Sequence, residues 1–326
     1  MPALDPFTVF ALALVAALWL ALAVDRWLGE PPAPLHPVVW MGRYLDWIGS
    51  RLAPRAADAK PRDLPGFAMG ALGWCVGAMA AFAVASAVQS LAMQWLPVWA
   101  MAVVLGLAFK PLFAWRMLRD EVLAVEAALG ESLDAGRARL ARLVSRDVSV
   151  LSEREVRESA IESLAENLND SLVAPVFWFV LFGLPGAALY RFANTADAMW
   201  GYRGERGGRD WTWFGKWAAR ADDVLSWLPA RLTVLLLALA AARWPRGVVR
   251  EARRTPSPNS GWPMGAMALL LGARLAKPGV YALNGEGRAA TSTDTARTAQ
   301  LGERAAWGLA VIASLAMLSP LLARWA

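Results

Sequence analysis

Between Glu158 and Asp170 the chain reads ESAIESLAENLND, with Glu158, Glu162, Glu166 and Asp170 four residues apart. Residues at that spacing are neighbours on a helix surface, so the pattern predicts four carboxylates in one row. Like charges in a row repel, and two kinds of partner can compensate them. One is a basic side chain, Arg154 being spaced to pair with Glu158. The other is a hard cation or a cationic substrate held by the remaining oxygens. Ile161, Leu164, Ala165, Leu168 and Leu172 repeat at the interval of a buried stripe, so the helix is expected to pack on one side and to carry acids on the other.

Further polar groups stand beside apolar runs. Asn194 and Asp197, in NTADAM, are three apart and share a helix face. Asp222 and Asp223 form an adjacent pair that serves equally well as a helix cap. Ser257 and Asn259 sit in SPNSGWP, a Pro- and Gly-bounded loop. Carboxylates and amides next to membrane-embedded helices are costly and tend to be functional. Arg203, Arg220 and Arg231 offer guanidinium forks for oxyanions. His36 is the single histidine, and without cysteine or a second histidine nearby it builds no zinc site of the usual kind; it is read as structural. Lys110, near the end of an apolar run, is expected to snorkel to the interface. Oxygen donors dominate, so a metal, where bound, is Mg²⁺. NGEG at Asn284–Gly287 matches no phosphate-loop spacing.

These groups must be positioned by membrane helices. Hydrophobic residues make up 57% of the 326, and uncharged runs cover 8–24, 66–88, 171–190 and 305–323, with a fifth from 96 to 109. Each is close to the ~20 residues that cross a bilayer, except the fifth, which continues past Lys110 to Trp115. The fold expected is all-α: a polytopic helical membrane protein with about five or six membrane helices, one domain over 1–326, and a cytoplasmic helical insertion at 119–170. Alternating segments of a β-barrel are missing from the pattern. Pro175 and the break Gly183–Gly186 mark 171–190 as a candidate re-entrant hairpin. Trp95, Trp99, Trp115, Trp227, Trp244, Trp307 and Trp325 fall near run ends as interfacial anchors. The net charge of +6 is almost wholly arginine; in such a chain it reflects cytoplasmic loops and membrane lipid, not nucleic acid.

Taken in order, GEPP with LHPVVWMG (29–42), SRDVSVL (145–151), ESLAENLNDSLVAPVFW (162–178), NTADAMWGYR (194–203), FGKWAARADDVLSWLPARLT (214–233) and SPNSGWP resemble the cobalamin biosynthesis CobD/CbiB family, the adenosylcobinamide-phosphate synthases. The resemblance covers nearly the whole chain. It implies an inner-membrane ligase that joins the propionate carboxylate of a corrinoid, adenosylcobyric acid, to aminopropanol or its O-phosphate, using ATP and Mg²⁺. It further implies one pocket with Glu162, Glu166, Asp170 and Asp197 in catalysis, Glu166, Asp170 and Asp197 on the metal, and Asn167, Asn194, Arg203, Asp223, Arg231, Ser257 and Asn259 on substrate and ATP. Glu162 or Glu166, its pKa raised by neighbouring acids, would take the amine proton. The chain departs from the family at Thr255, where a His is usual, and at Met264, where an acid is usual. An AmpE-like membrane regulator without ligase activity is the alternative that shares the pattern.

Overall fold

The computed structural model describes residues 6–322. Five of its helices are long and apolar enough to cross a membrane: Thr8–Trp27, Leu64–Trp95, Val98–Glu131, Glu153–Trp200 and Ser292–Ser319. A sixth is counted if Lys216–Leu225 and Trp227–Ala240 are one span, in agreement with the five or six expected. Among the described residues the only sheet is two small antiparallel hairpins, Glu205–Arg206 with Arg209–Asp210 and Leu275–Lys277 with Tyr281–Leu283. Within the run 153–200 the charges crowd ahead of Ser171. The membrane-spanning part therefore starts there, and Glu153–Asp170 stands outside it.

The contacts divide the chain into two compact units. Among the described residues the first comprises 6–113, 174–225 and 313–322. Its long helix Leu64–Trp95 is capped by Asp63, whose Oδ1 accepts from Gly66 N at 3.0 Å. Small residues then let neighbours approach: Gly70 meets the Phe214 backbone, Gly73 faces Trp200, and Gly77 faces Phe192 and Tyr44. The expected break is present at Gly183, whose φ of 66° and ψ of −152° are non-helical. Gln89 fills the gap in the hydrogen-bond ladder, its Oε1 accepting from Leu184 N at 2.9 Å. Before the break Phe179 stacks on Phe109 at 4.1 Å. After it, Gly183, Phe192 and Trp200 meet Gln89, Gly77 and Gly73 in turn, so the chain runs back along Leu64–Trp95.

Two expectations fail in physical ways. Lys110 does not snorkel: it is buried, with Nζ 3.1 Å from Asp25 Oδ1 and 2.8 Å from Glu30 Oε1. Two carboxylates close at hand compensate its desolvation, so it has no need to reach water. Trp115 is no interfacial anchor either, because it is buried and its Nε1 donates to Glu303 at 2.8 Å. Trp95 and Trp99 are exposed as an anchor should be, and Trp325 lies outside the described residues. His36 is structural: its Nδ1 accepts from Val38 N, capping the helix Pro37–Leu52, which leaves Nε2 to donate to Glu30 at 3.3 Å. Burial works to raise the Glu30 carboxyl, and the bonds from His36 and Lys110 overcome it, holding the group below its usual range.

The second unit comprises 114–173 and 226–312. The helical stretch 119–170 is thus one part of a larger body, packed with later elements. Helices Trp115–Glu131 and Glu153–Leu168 are clamped by Arg157, which grips Glu126 through Nε and Nη2 at 2.8 Å each, while Thr295 Oγ1 donates to the same carboxylate. Glu251 is fully buried between Arg250 and Arg254 and accepts from Asn284 N at 2.8 Å, fixing the NGEG turn as structure.

Candidate active site

The acid-bearing helix Glu153–Leu168 begins in a capping box: Glu155 N donates to Ser152 Oγ, and Ser152 N donates to Glu155 Oε2 at 2.8 Å. This reciprocal cap fixes the rotation of the helix and hence the direction of its acids. Glu158 is fully buried and paired with Arg154 at 2.6 Å, as its spacing predicts. Glu162, only 5% exposed, is the next acid in the row. It lines a cavity of about 200 Å³ with Glu166 and Asn167.

The opposite walls come from three other segments. Arg146, in the loop ahead of the helix, reaches in with Nη2 donating to Ser159 Oγ. Met264 comes from the helix Gly261–Leu271. Lys277 and Tyr281 are supplied by the second hairpin, where they are directly paired across the strands. Between them Pro278 and Gly279 turn the chain, Val280 N donating to Lys277 O at 3.0 Å and Gly279 taking φ 72°. Proline followed by a glycine at positive φ is the pattern of a type II turn, and it sets both side chains on one face of the hairpin.

Burial pushes the Glu162 carboxyl up, with Glu158 adding to the effect; Arg146, Tyr281 and Lys277 pull it down, and the balance leaves it raised from 4.5 to about 7. One of its oxygens, Oε1, is buried without a hydrogen-bond partner. The Tyr281 hydroxyl is turned toward the Glu162 carboxyl and lies 3.7 Å from Met264 Sδ. Burial, then the charges of Glu162 and Glu166, hold its proton well above the usual phenol range. A carboxyl poised near neutrality beside a permanent proton donor can take a proton from an incoming nucleophile.

The other residues expected in one pocket are not among those that line this cavity. Asp170 falls just past the end of the α-helix. The helix widens into a π-turn at Asn169–Val173, a feature frequent at functional sites, and Asp170 Oδ1 there accepts from Asn169 Nδ2 at 2.7 Å. Arg231 lies between Trp227 and Trp262, 4.5 and 4.6 Å from their rings, and donates to Trp227 O, Asn259 Oδ1 and Pro258 O. Ser257 Oγ accepts from the backbone of Asn259 and Ser260. Much of this Arg and loop chemistry is therefore spent inside the protein. Asn194, Asp197, Arg203 and Asp223 belong to the first unit. There Asn194 Nδ2 lies 3.4 Å from Asp222 Oδ1, so the buried partner of Asn194 is the acid that sequence reasoning assigned to neither metal nor substrate. Asp223 is half-buried and feels the charge of the exposed Arg203.

Among the described residues no group of three His, Cys, Asp or Glu side chains is placed to hold a metal ion. Mg²⁺ ordinarily needs only one or two carboxylates, with phosphate and water completing its shell. Glu166, on the cavity wall, is a carboxylate of that kind. The residues missed at the cavity are Arg146, Lys277 and Tyr281. Lys277 is one of only four lysines and Tyr281 one of only four tyrosines, which was the available signal.

Comparison with known proteins agrees along the length of the chain. The sequence model of the family described as CobD/Cbib protein matches residues 18–307. The probable cobalamin biosynthesis protein CobD of Methanothermobacter thermautotrophicus is 40% identical over 284 residues, covering 82% of this chain and 86% of the relative. Its counterpart in Methanothrix thermoacetophila is 36% identical over 321 residues, covering 93% and 96%. The cobalamin biosynthesis protein CobD of Brucella anthropi is 40% identical over 280 residues, covering 81% and 82%. No solved structure matches. On the match from 18 to 307 and relatives aligned over most of their own length, the chain is a member of the CobD/CbiB protein family.

Proposed function

We propose that this protein acts in cobalamin biosynthesis as an ATP-dependent amide ligase of the cell (inner) membrane, joining a corrinoid carboxylate, that of adenosylcobyric acid, to aminopropanol or its O-phosphate. The observation that carries the reading is the cavity in which Glu162 is held near neutrality between acids and bases. A carboxylate and an amine do not condense in water unaided. Phosphoryl transfer from ATP to the carboxylate oxygen releases ADP and leaves an acyl phosphate. Attack of the amine nitrogen on that carbonyl forms the C–N bond and expels phosphate, and the nitrogen must shed a proton.

Glu162 is the group to receive it, because the proton affinity of a carboxyl raised to about 7 suits transfer from an ammonium near neutral pH. Arg146 and Lys277 oppose the negative charge of phosphates and of Glu166. Mg²⁺, when bound at Glu166 and Asp170, would supply neutralisation of the triphosphate. In the first unit Asp197 remains a catalytic and metal candidate and Asn194, Asp223 and Arg203 substrate- and nucleotide-binding candidates, and Arg231, Ser257 and Asn259 shape a loop in the second.

The test is complementation of a strain unable to attach aminopropanol to cobyric acid. The wild-type chain should restore growth without added cobinamide, and Glu162→Gln should not. An AmpE-like regulator would restore nothing, although it would sit in the membrane equally well.

A further inference from the structure

Arg146 and Lys277 are the two basic residues on the wall of the cavity that holds Glu162. Arg119, Arg137, Arg139, Arg154, Arg157, Arg254 and Arg288 each reach a carboxylate within ion-pair distance. Among the described residues Arg146 and Lys277 reach none. Arg146 donates only to Ser159 Oγ, and its Nε is buried with no acceptor. Lys277 is half-buried at the end of its hairpin strand. Both line the cavity that holds Glu162, itself 5% exposed with one oxygen unpartnered. A buried guanidinium N–H without an acceptor is costly, as is a buried carboxylate oxygen without a donor. The two vacancies in one cavity match a ligand that brings an oxyanion and an N–H or O–H together.

We propose that Arg146, Lys277 and the Tyr281 hydroxyl form a phosphoryl-oxyanion subsite beside the Glu162 carboxyl. Two cations and a neutral hydroxyl donor suit the three terminal oxygens of a phosphoryl group, with the planar guanidinium engaging two of them. The size agrees. The cavity of about 200 Å³ is smaller than the roughly 300–1,000 Å³ of pockets that engulf a whole drug-sized ligand. It accepts a phosphoryl group with a few attached atoms, and neither an adenine nucleotide nor a corrin ring in full. Glu162 and Glu166 stay on the same walls. A phosphate is therefore admitted with its charge balanced by the two bases, while an ammonium group attached to or accompanying it is met by the acids.

The phosphoryl group has two sources within the ligase reading on which this inference rests: the end of the ATP chain and the O-phosphate of the amine. The intact protein in detergent micelles, titrated calorimetrically with ATP, with aminopropanol O-phosphate and with free aminopropanol, separates them. Lys277→Met and Arg146→Met should each weaken one of the two phosphate ligands about tenfold or more, and leave free aminopropanol unchanged. Lys277→Arg should recover most of the loss. Weakened ATP binding alone assigns the subsite to the nucleotide; weakened amine-phosphate binding alone assigns it to the amine. Wild-type protein that binds neither phosphate ligand, or variants that bind both within twofold of wild type, would overturn the subsite even if amide formation is observed. Binding that is lost in Lys277→Met while wild type makes no amide would keep the subsite and remove the ligase reading.

Discussion

Replacing Glu162 with Gln tests the site and its electrostatics together. The side chain keeps its shape and loses its titration. In the wild type the carboxyl is raised by burial from 4.5 to about 7, equivalent to about 3 kcal/mol at 1.4 kcal/mol per tenfold. The folded state holds this proton more tightly than the unfolded chain does. Its contribution is therefore fully present below pH 4.5 and is lost as pH rises through about 7. Gln never charges and escapes that loss. Thermal unfolding of wild type and Glu162→Gln in the same detergent should diverge as pH rises from 5 to 8, the variant gaining up to about 3 kcal/mol relative to wild type. Amide formation should fall by about 10²–10⁴ in the variant, the range of general base catalysis, and the wild-type rate should decline below pH about 7 as the base protonates. Beside burial, Arg146, Tyr281, Glu158 and Lys277 are the groups that act on Glu162. A stability gap that does not change with pH, or a variant within about threefold of wild-type activity, would refute the reasoning.

Other substitutions follow from the same geometry. Asp170→Asn and Asp197→Asn should each abolish amide formation while leaving the protein in the membrane fraction, since a metal or phosphate site loses charge that packing does not restore; normal activity with unchanged Mg²⁺ dependence in either would remove that residue from the site. Glu158→Gln should reduce turnover far less than Glu162→Gln, because Glu158 is paired with Arg154 and does not line the cavity; parallel rate assays decide the order. Lys110→Met removes the close cation from buried Asp25 and from half-buried Glu30, which keeps His36, so it should lower stability by about 3–5 kcal/mol, read as an earlier unfolding midpoint in detergent at pH 7. An unchanged midpoint would mean that those acids find other partners.

The membrane helices are legible because length and apolarity are local properties: a run such as Leu64–Trp95 states its own fate. The break at Gly183 is legible too, since Gly183, Pro185 and Gly186 fall within four residues. The partner of the break is not, because Gln89 lies nearly a hundred residues away. Lys110 fails for the same reason. Whether a lysine at a span end snorkels or is buried depends on acids elsewhere, here Asp25 and Glu30, and local hydropathy carries no trace of them. The acid row is half legible: Glu158, Glu162 and Glu166 lie within the α-helix as their four-residue step predicts, but Asp170 falls in a π-turn. No spacing rule foresees that widening, since the same residues also fit an uninterrupted helix.

The basic side of the cavity marks a different boundary. Arg146 appears in the sequence as one arginine among many, and Lys277 as one lysine among four; nothing near either says that it faces Glu162. Yet the segment Lys277-Pro278-Gly279-Val280-Tyr281 does carry a turn signal, Pro then Gly between residues able to pair. Taken as a hairpin, it places Lys277 opposite Tyr281, as the structure has it. A cation and a phenol held together on one face of a rigid turn form a donor pair before any tertiary contact is made. The fold then needs only to bring that pair to the acid helix, and Met264, buried and in contact with the Tyr281 hydroxyl, lines the same cavity between them. Short-range turn chemistry can thus preorganise half of a site whose other half is set by helix periodicity, and only their meeting requires the whole fold.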